Sequence, residues 1–207
     1  MTPAINLVCT RCTDGNHAAL QRWYNDHAQL LMACPLLQSA ELFQAKAANA
    51  SLDYFCLYHF DKLSDFAAFD SGDVMAQVRD LSNEALGRSS IEIIKRTQYE
   101  RVLNRNWVSD HSGWYQAVLL ELLGSDLPTT LRWLNDVLYR MHTENALQAA
   151  QVYVAQNQEQ IEMLVLFQCA EQAFPSDWLD WRSPYAERGK INTLWQAKAQ
   201  RITQWLR

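Results

Sequence analysis

The sequence has few residues that break regular structure and no pattern typical of a membrane or nucleic-acid protein. Six glycines and five prolines among 207 residues exclude collagen-like and low-complexity chains. The longest apolar runs, such as residues 163–167, are far shorter than the roughly 20 residues that span a membrane. The net charge of −5 gives no basic surface for nucleic acid. We therefore expect no nucleic-acid partner and no membrane partner.

Disulfide, metal and nucleotide signals are also missing. Five cysteines are an odd number, and residues 1–10 carry no basic region ahead of an apolar run, so we expect reduced thiols in the cytoplasm. Cys9 and Cys12 have CxxC spacing, but no second pair or histidine follows at the spacing of a zinc site, so we expect no metal. The absence of GxxxxGK, GxGxxG and GxSxG motifs leaves nucleotide cofactors and serine hydrolysis unsupported.

Apolar residues make up 49% of the chain, enough for a packed core, and the chain repeats itself. Four segments recur in the same order at an offset of 109 to 112 residues. They are RWYND at 22–26 and RWLND at 132–136, LQSAELF at 37–43 and LQAAQVY at 147–153, DYFCLY at 53–58 and EMLVLF at 162–167, and SDF at 64–66 and SDW at 176–178. The order and the near-constant offset predict two copies of one unit, residues 1–106 and 107–207, with a linker at 104–113.

Each copy predicts the order strand, helix, strand, strand, helix, strand, which is that of a ferredoxin-like unit. The first helix follows Asp14-Gly15-Asn16 in one copy and Gly124-Ser125-Asp126 in the other, and Ser64 and Ser176 are expected N-caps of the second helix. The predicted strands are 5–12, 36–46, 52–61 and 91–103 in the first copy, and 115–122, 146–156, 160–170 and 193–204 in the second. The first copy also predicts an extra helix between Gly72 and Gly87.

The helix segment Trp23-Tyr24-Asn25-Asp26-His27, followed by LLQSA at 36–40, resembles the EthD-like branch of the dimeric α+β barrel superfamily. The resemblance implies an α+β fold in which two tandem ferredoxin-like βαββαβ units form an intrachain dimeric α+β barrel. It also implies a pocket between sheet and helices for small hydrophobic, often aromatic, ligands. The superfamily includes cofactor-independent monooxygenases, polyketide cyclases, lactone isomerases, and haem-binding or haem-degrading enzymes.

His27 is the candidate catalytic residue. It follows Trp23 by four residues, so both lie on one helix face, and its counterpart in the second copy is the apolar Val137, which predicts an inward position. An imidazole facing a pocket can act as a general acid or base near neutral pH. The resemblance implies a functional histidine at this helix position, and His27 is the residue that matches it. The alternative is a core histidine hydrogen-bonded to a backbone carbonyl. The Val137 counterpart predicts one active pocket, in the first copy.

Four further residues are candidates for substrate binding. Trp23 precedes His27 on the same face, although its recurrence as Trp133 also fits a packing role. Tyr24 and Tyr58 offer phenolic hydrogen bonds, with a purely structural core position as the alternative. His59 lies on the opposite strand face from Tyr58 and either lines the pocket or lies at the wet end of its strand.

Weaker signals complete the set. Asn6 and Thr10 share one face of the first strand and offer polar contacts. We expect no cofactor, but haem stays open because one histidine suffices as an axial ligand, and residue type permits His27, His59, His111 and His142.

The sequence therefore predicts a protein that binds and converts a small hydrophobic, aromatic or polyketide-like molecule by cofactor-independent acid–base chemistry of cyclase, isomerase or monooxygenase type. The alternatives are a non-catalytic carrier or sensor, a haem-binding protein of the same superfamily, and an interaction protein with a filled core. A homo-oligomer of the internal pseudo-dimer also stays open.

Overall fold

A computed structural model describes residues 2–46, 52–86, 91–107, 114–123, 126–144, 147–156, 160–169 and 191–206. Within these ranges the chain has a mixed α+β fold of eight strands and four helices. In chain order they are β1 (Ala4–Cys12), α1 (His17–Leu31), β2 (Leu37–Ala45), β3 (Tyr54–Phe60), α2 (Ser64–Asp70), α3 (Asp73–Leu86), β4 (Ile91–Asn106), β5 (Trp114–Leu122), α4 (Leu127–Thr143), β6 (Ala149–Gln156), β7 (Ile161–Gln168) and β8 (Ile191–Leu206). None of the helices in these ranges is long and apolar enough to cross a membrane.

The chain divides into two compact units, and the two longest strands are divided between them. The first unit comprises Met1–Lys46, Ala50–Glu100 and Arg201–Arg207, and the second unit contains Arg101–Gln200. The expected linker at 104–113 is wrong for residues 104–106, because β4 continues to Asn106; residues 108–113 lie outside the described part of the chain. Whether the repeated copies meet at residue 106 stays a prediction.

The sheet of the first unit has the order β4-β1-β3-β2. β1 pairs antiparallel with β3 and with β4, and β3 pairs antiparallel with β2. Alternate residues of β3 face the helices and join one core cluster, in which Tyr54, Cys56, Tyr58 and Phe60 pack with residues from α1, α2 and α3. α1 lies beside α3 on this face, so helices and sheet enclose an apolar layer.

Helix α1 begins where the turn residues predict it. Asn16 is the N-cap, and its side-chain oxygen accepts a hydrogen bond from the Ala19 N–H at 3.2 Å. Gly15 supplies the positive φ of +73° that the preceding turn needs. The prediction for Ser64 is wrong: Ser64 is the first residue of α2, and Leu63 precedes it as an N-cap whose side chain makes no capping hydrogen bond. Ser176 lies outside the described residues.

The second unit has the strand order β8-β5-β7-β6, again with antiparallel pairs. The five buried positions of α1 recur in α4 at an offset of 110 residues. The first matched pair is Leu20 and Thr130, and the last is Leu31 and Met141. A register shift falls between Cys9 and Thr10 where β1 pairs with β4, and the same shift recurs 110 residues later where β5 pairs with β8.

The predicted strands and the extra helix are confirmed within a few residues, with β4 and β8 longer than expected. The second helix expected in the second copy, with Trp178, lies outside the described residues.

Candidate functional site

A cavity of about 90 Å³ lies in the first unit between the sheet and the helices. Its position follows from the sequence pattern, because the helix-facing residues of β1, β3 and β4 form one wall and α1 and α3 form the other. The apolar wall residues are Val8, Leu31, Phe69, Met75, Val78 and Ile93, and the residues with polar atoms are Asn6, Trp23, His27, Tyr58 and Arg96. A largely apolar cavity with a few polar groups is the usual form of a small-molecule site.

His27 lies in this wall and is only 6% exposed. Its Nδ1 donates a hydrogen bond to the carbonyl oxygen of Trp23 at 2.8 Å, and the backbone of Val78 is a second hydrogen-bonding neighbour. Burial lowers the pKa of His27 below its ordinary value of 6.5, although both backbone contacts and the charge of Asp26 favour the protonated ring. The imidazole is therefore neutral at neutral pH.

Trp23 packs its indole on the imidazole of His27. The ring centroids are 4.1 Å apart with an interplanar angle of 35°, and the edge of Tyr24 meets the indole from another side at 4.9 Å. The indole Nε1 is buried and has no hydrogen-bond partner among the residues that the structure describes. Trp23 thus brings to the cavity wall both apolar area and an unused hydrogen-bond donor.

Asn6 is the most deeply buried polar side chain of the wall, with 3% exposure. It comes from β1, and its Oδ1 is buried without a hydrogen-bond partner in the described part of the chain. Buried polar atoms are paired in the great majority of cases, because an unpaired one costs about 1–3 kcal/mol. Tyr58 from β3 also lines the wall, and burial holds the pKa of its hydroxyl well above 10.

Arg96 from β4 closes one side of the cavity. Its Nη2 donates to Oδ1 of Asp70 at 2.8 Å, and its guanidinium lies 5.6 Å above the ring of Phe66. Asp70 also pairs with Arg79 at 2.7 Å. The charge of Arg96 is therefore partly compensated by the carboxylate of Asp70, which also serves Arg79.

Two of the predicted substrate-binding residues are not among those that line this cavity. Tyr24 is fully buried, and its hydroxyl shares a hydrogen bond of 2.9 Å with Thr10. His59 lies on the other face of β3, where its Nε2 is 3.0 Å from Glu41. Of the five predicted site residues, the structure brings together His27, Trp23 and Tyr58.

Glu41 is the centre of a separate charged cluster. Its carboxylate accepts from His59 and, at 2.6 Å, from Nη1 of Arg201, which belongs to the first unit. Burial raises the pKa of Glu41, but the hydrogen bonds and charges of both partners outweigh it, so the net shift is downward. His59 is thus held by a hydrogen bond to Glu41 on the sheet face away from His27.

The thiols do not supply a nucleophile for the cavity. Burial raises the pKa of Cys9 and of Cys56 to about 12, so both are protonated at neutral pH. In the described ranges no group of three histidine, cysteine, aspartate or glutamate side chains is placed to hold a metal ion.

The part of the wall that α3 and β4 contribute was not predicted from the sequence. Met75, Val78 and Arg96 are separated by more than 45 residues from Trp23 and His27 in the chain. The one indication in the sequence is the helical spacing of apolar residues in α3, because an apolar helix face has to pack against another part of the protein. It does not indicate that the covered surface is this cavity.

Comparisons with known proteins show the fold. No protein-family model and no curated protein matches the sequence. Among solved structures, a protein proposed to be a monooxygenase from Fusobacterium nucleatum matches with a TM-score of 0.63 and 7% identity over 100% of this chain and 95% of that chain. An anthrone oxidase-like protein matches with a TM-score of 0.62 and 10% identity over 99% of this chain and 92% of that chain.

A haem-binding protein from Thermus thermophilus matches with a TM-score of 0.57 and 8% identity over 98% of this chain and 92% of that chain. The chain therefore shares a mixed α+β fold with these solved structures. The expectation of no cofactor is corrected by these matches, because proteins of this fold include haem binders and the absence of haem does not follow from the fold.

The cavity residues do not fit haem. Pockets for ligands of drug or cofactor size measure roughly 300–1,000 Å³, and this cavity has about 90 Å³. An axial histidine needs one ring nitrogen directed at the iron, whereas the His27 ring is already hydrogen-bonded to the backbone of Trp23 and of Val78. His59 is paired with Glu41, and Nδ1 of His142 is hydrogen-bonded to the Leu147 carbonyl.

Proposed function

We propose that the cavity of the first unit binds a small hydrophobic, aromatic molecule and that His27 converts it by acid–base chemistry. The observation that carries this proposal is a buried, neutral imidazole in the wall of an otherwise apolar cavity. A general base must be unprotonated at the working pH, and burial meets that condition for His27. Removal of a proton from the carbon next to a carbonyl gives an enolate, and a positioned general base promotes that step.

The hydrogen bond to Trp23 assigns the base to one nitrogen. With its proton on Nδ1 and donated to the Trp23 carbonyl, the neutral ring carries its lone pair on Nε2. A substrate would give its proton to Nε2, and the imidazolium that forms is favoured by the backbone contacts with Trp23 and Val78. Trp23 and Tyr58 hold the ligand, with the apolar wall from α3 opposite.

The two units share a plan that a duplication would explain. We infer that they are copies of one ferredoxin-like unit, forming an internal pseudo-dimer of the EthD-like branch. The strand order of each unit, the five buried helix positions repeated at an offset of 110 and the repeated register shift support this inference. In that case Val137 marks the copy without an acid–base group.

Exchange of carbon-bound hydrogen tests the proposed chemistry without knowledge of the natural substrate. Acetophenone is a single-ring, enolisable ketone, and the similarity to an anthrone oxidase-like protein supports the use of an aromatic ketone. We expect the protein to accelerate deuterium incorporation at the methyl group in D₂O, measured by NMR. His27→Ala is expected to reduce that acceleration about 10²- to 10⁴-fold, as for a lost general base.

His142→Ala is the matched control, because His142 also donates to a backbone carbonyl but lies in the second unit. Exchange that equals the buffer rate, or that survives in His27→Ala, would contradict the acid–base role.

One observation favours a second candidate, a non-catalytic carrier or sensor. His27 has hydrogen-bonding backbone neighbours at Trp23 and at Val78, as in a histidine whose role is structural. A carrier predicts that acetophenone binds, that its exchange is not accelerated, and that His27→Ala weakens binding only a few-fold.

A further inference from the structure

We propose that the cavity recognises a neutral, single-ring phenol that also carries a carbonyl group, with Asn6 accepting from the hydroxyl and Trp23 donating to the carbonyl. This inference rests on the proposed function, because it specifies the ligand of the same cavity. Its basis is a pair of buried polar atoms, Oδ1 of Asn6 and Nε1 of Trp23, that have no partner within the described part of the chain.

The two atoms are complementary in chemistry. Oδ1 of Asn6 is an acceptor and needs a donor, while Nε1 of the indole is a donor and needs an acceptor. Both side chains line the cavity, so a ligand there that reaches Oδ1 of Asn6 and Nε1 of Trp23 can satisfy both. A ligand without polar atoms would leave both unpaired, whereas a ligand with a donor and a separate acceptor can pair with each atom through its own group.

The rest of the wall determines the size and shape of the ligand. A volume of about 90 Å³ accommodates little more than one ring, with any further atoms toward the open side. The rings of Trp23, Tyr58 and Phe69 give the flat apolar surfaces on which an aromatic ring packs.

The charge of the ligand follows from Arg96. Arg96 is already paired with Asp70, so part of its charge is compensated and a carboxylate or phosphate group would compete with Asp70 for the guanidinium. These features together favour a neutral hydroxyaryl carbonyl compound.

Four kinds of probe separate the two contacts. Toluene has neither polar group, phenol has the hydroxyl, benzaldehyde has the carbonyl, and 3- and 4-hydroxybenzaldehyde have both. We expect the better hydroxybenzaldehyde isomer to bind the full chain about tenfold more tightly than phenol or benzaldehyde, measured by calorimetry, since one hydrogen bond to a group that is otherwise buried and unpaired contributes roughly that factor. 3-Hydroxybenzoate, which is anionic, is expected to bind more weakly than either isomer.

Two variants give a crossed pattern. Asn6→Leu keeps the volume and removes the acceptor, so it is expected to reduce the affinity for hydroxybenzaldehyde about tenfold and to leave benzaldehyde unchanged. Trp23→Phe keeps an aromatic ring and removes the donor. It is therefore expected to reduce the affinities for benzaldehyde and hydroxybenzaldehyde and to leave the affinity for toluene unchanged. The matched controls are Gln116→Leu and Trp133→Phe, at the corresponding positions of the second unit, and they should change none of the affinities.

The wild-type chain offers a readout that does not depend on the variants folding. In ¹H–¹⁵N spectra the indole Nε1–H resonance of Trp23 is expected to shift downfield with benzaldehyde and hydroxybenzaldehyde, and not with toluene. Equal affinities for all probes, or equal loss of all affinities in both variants, would overturn this inference. If toluene binds without the crossed pattern, the inference alone fails. If no probe binds at all, the proposed function fails with it.

Discussion

At the scale of single residues, His27 combines two properties that usually exclude each other. Its ring is 6% exposed and packs on Trp23, as a core residue does, yet it is titratable and lines a cavity. The two backbone contacts favour the imidazolium, while burial favours the neutral form and prevails. Because burial and the backbone contacts shift the pKa of His27 in opposite directions, that pKa depends on how the folded chain packs around the ring.

Replacing His27 by valine, the residue at the corresponding position 137, is expected to change how stability depends on pH. The unfolded chain binds the histidine proton near the ordinary pKa of 6.5, and the folded chain binds it only at lower pH, so acid favours the unfolded state. Between about pH 7.5 and about pH 5 the wild type should therefore lose free energy of unfolding relative to His27→Val, as measured by urea denaturation.

His142→Val serves as the control in the second unit. Parallel pH curves for wild type and His27→Val would show that His27 titrates as it does in the unfolded chain, and would contradict its buried, neutral state.

The residues of the site differ in how far the sequence reveals them. The contrast of His27 with Val137 and the four-residue spacing from Trp23 indicate an inward helix face, which is local information. The wall contributed by Val78 and Arg96 depends on where α3 packs, and the sequence contains no local signal for that. Asn6 is a candidate by its type and strand face, but its lack of a hydrogen-bond partner among the described residues is visible only in three dimensions.

At the scale of secondary-structure elements, the position of α1 depends on its first turn. Asn16 caps the helix with a side-chain hydrogen bond, and the helix carries both Trp23 and His27. The corresponding residue before α4, Asp126, makes no capping hydrogen bond from its side chain to the described backbone.

Asn16→Ala is therefore expected to reduce the free energy of unfolding by about 1 kcal/mol, the usual effect of a lost N-cap. Asp126→Ala should have a clearly smaller effect, and thermal or urea unfolding of the two variants checks the difference. Equal losses in both variants would mean that the Asn16 side chain does not act as a cap.

The cluster around Glu41 joins β2, β3 and the end of β8 in the first unit. Glu41→Gln removes the charge opposite Arg201, whose side chain is 27% exposed, so the expected loss is about 1–3 kcal/mol rather than the roughly 3–5 kcal/mol of a fully buried pair. Because the pKa of Glu41 is lowered on folding, the wild type loses this stabilisation as the pH falls below 4.5, the ordinary value.

The difference in free energy of unfolding between wild type and Glu41→Gln should therefore become smaller in acid, as measured by urea unfolding at about pH 7 and about pH 4. Glu92→Gln is the control, since Glu92 pairs with Arg11 on the exposed surface. A gap that stays constant or widens in acid would contradict the ionised, paired state of Glu41.

Most of the elements themselves are predictable from the sequence. Apolar patterns determine these elements: α1 buries one face, β1 and β3 are strands buried on both faces, and the repeat gives the same elements a second time. The predicted β4 and β8 are too short, since residues 101–106 and 201–206 have a weaker alternation of polar and apolar residues. Ser64 illustrates a different limit: its residue type fits an N-cap, but the helix takes it as its first residue.

At the scale of the whole molecule, the two units are alike in architecture and different in chemistry. Both have the same order of strands and the same buried helix positions, but the polar residue His27 is matched by Val137. A chain with two equivalent sites would need an acid–base group in each. We therefore expect one functional cavity in each chain, that of the first unit.

Calorimetric titration of the full chain with benzaldehyde measures this directly. We expect one binding site per chain, abolished by Val78→Phe, whose added ring fills the cavity, and retained in Leu81→Phe, a substitution on the same helix at a side chain that is 44% exposed. Two equal sites per chain, or a single site that survives Val78→Phe, would contradict the assignment of function to the first unit.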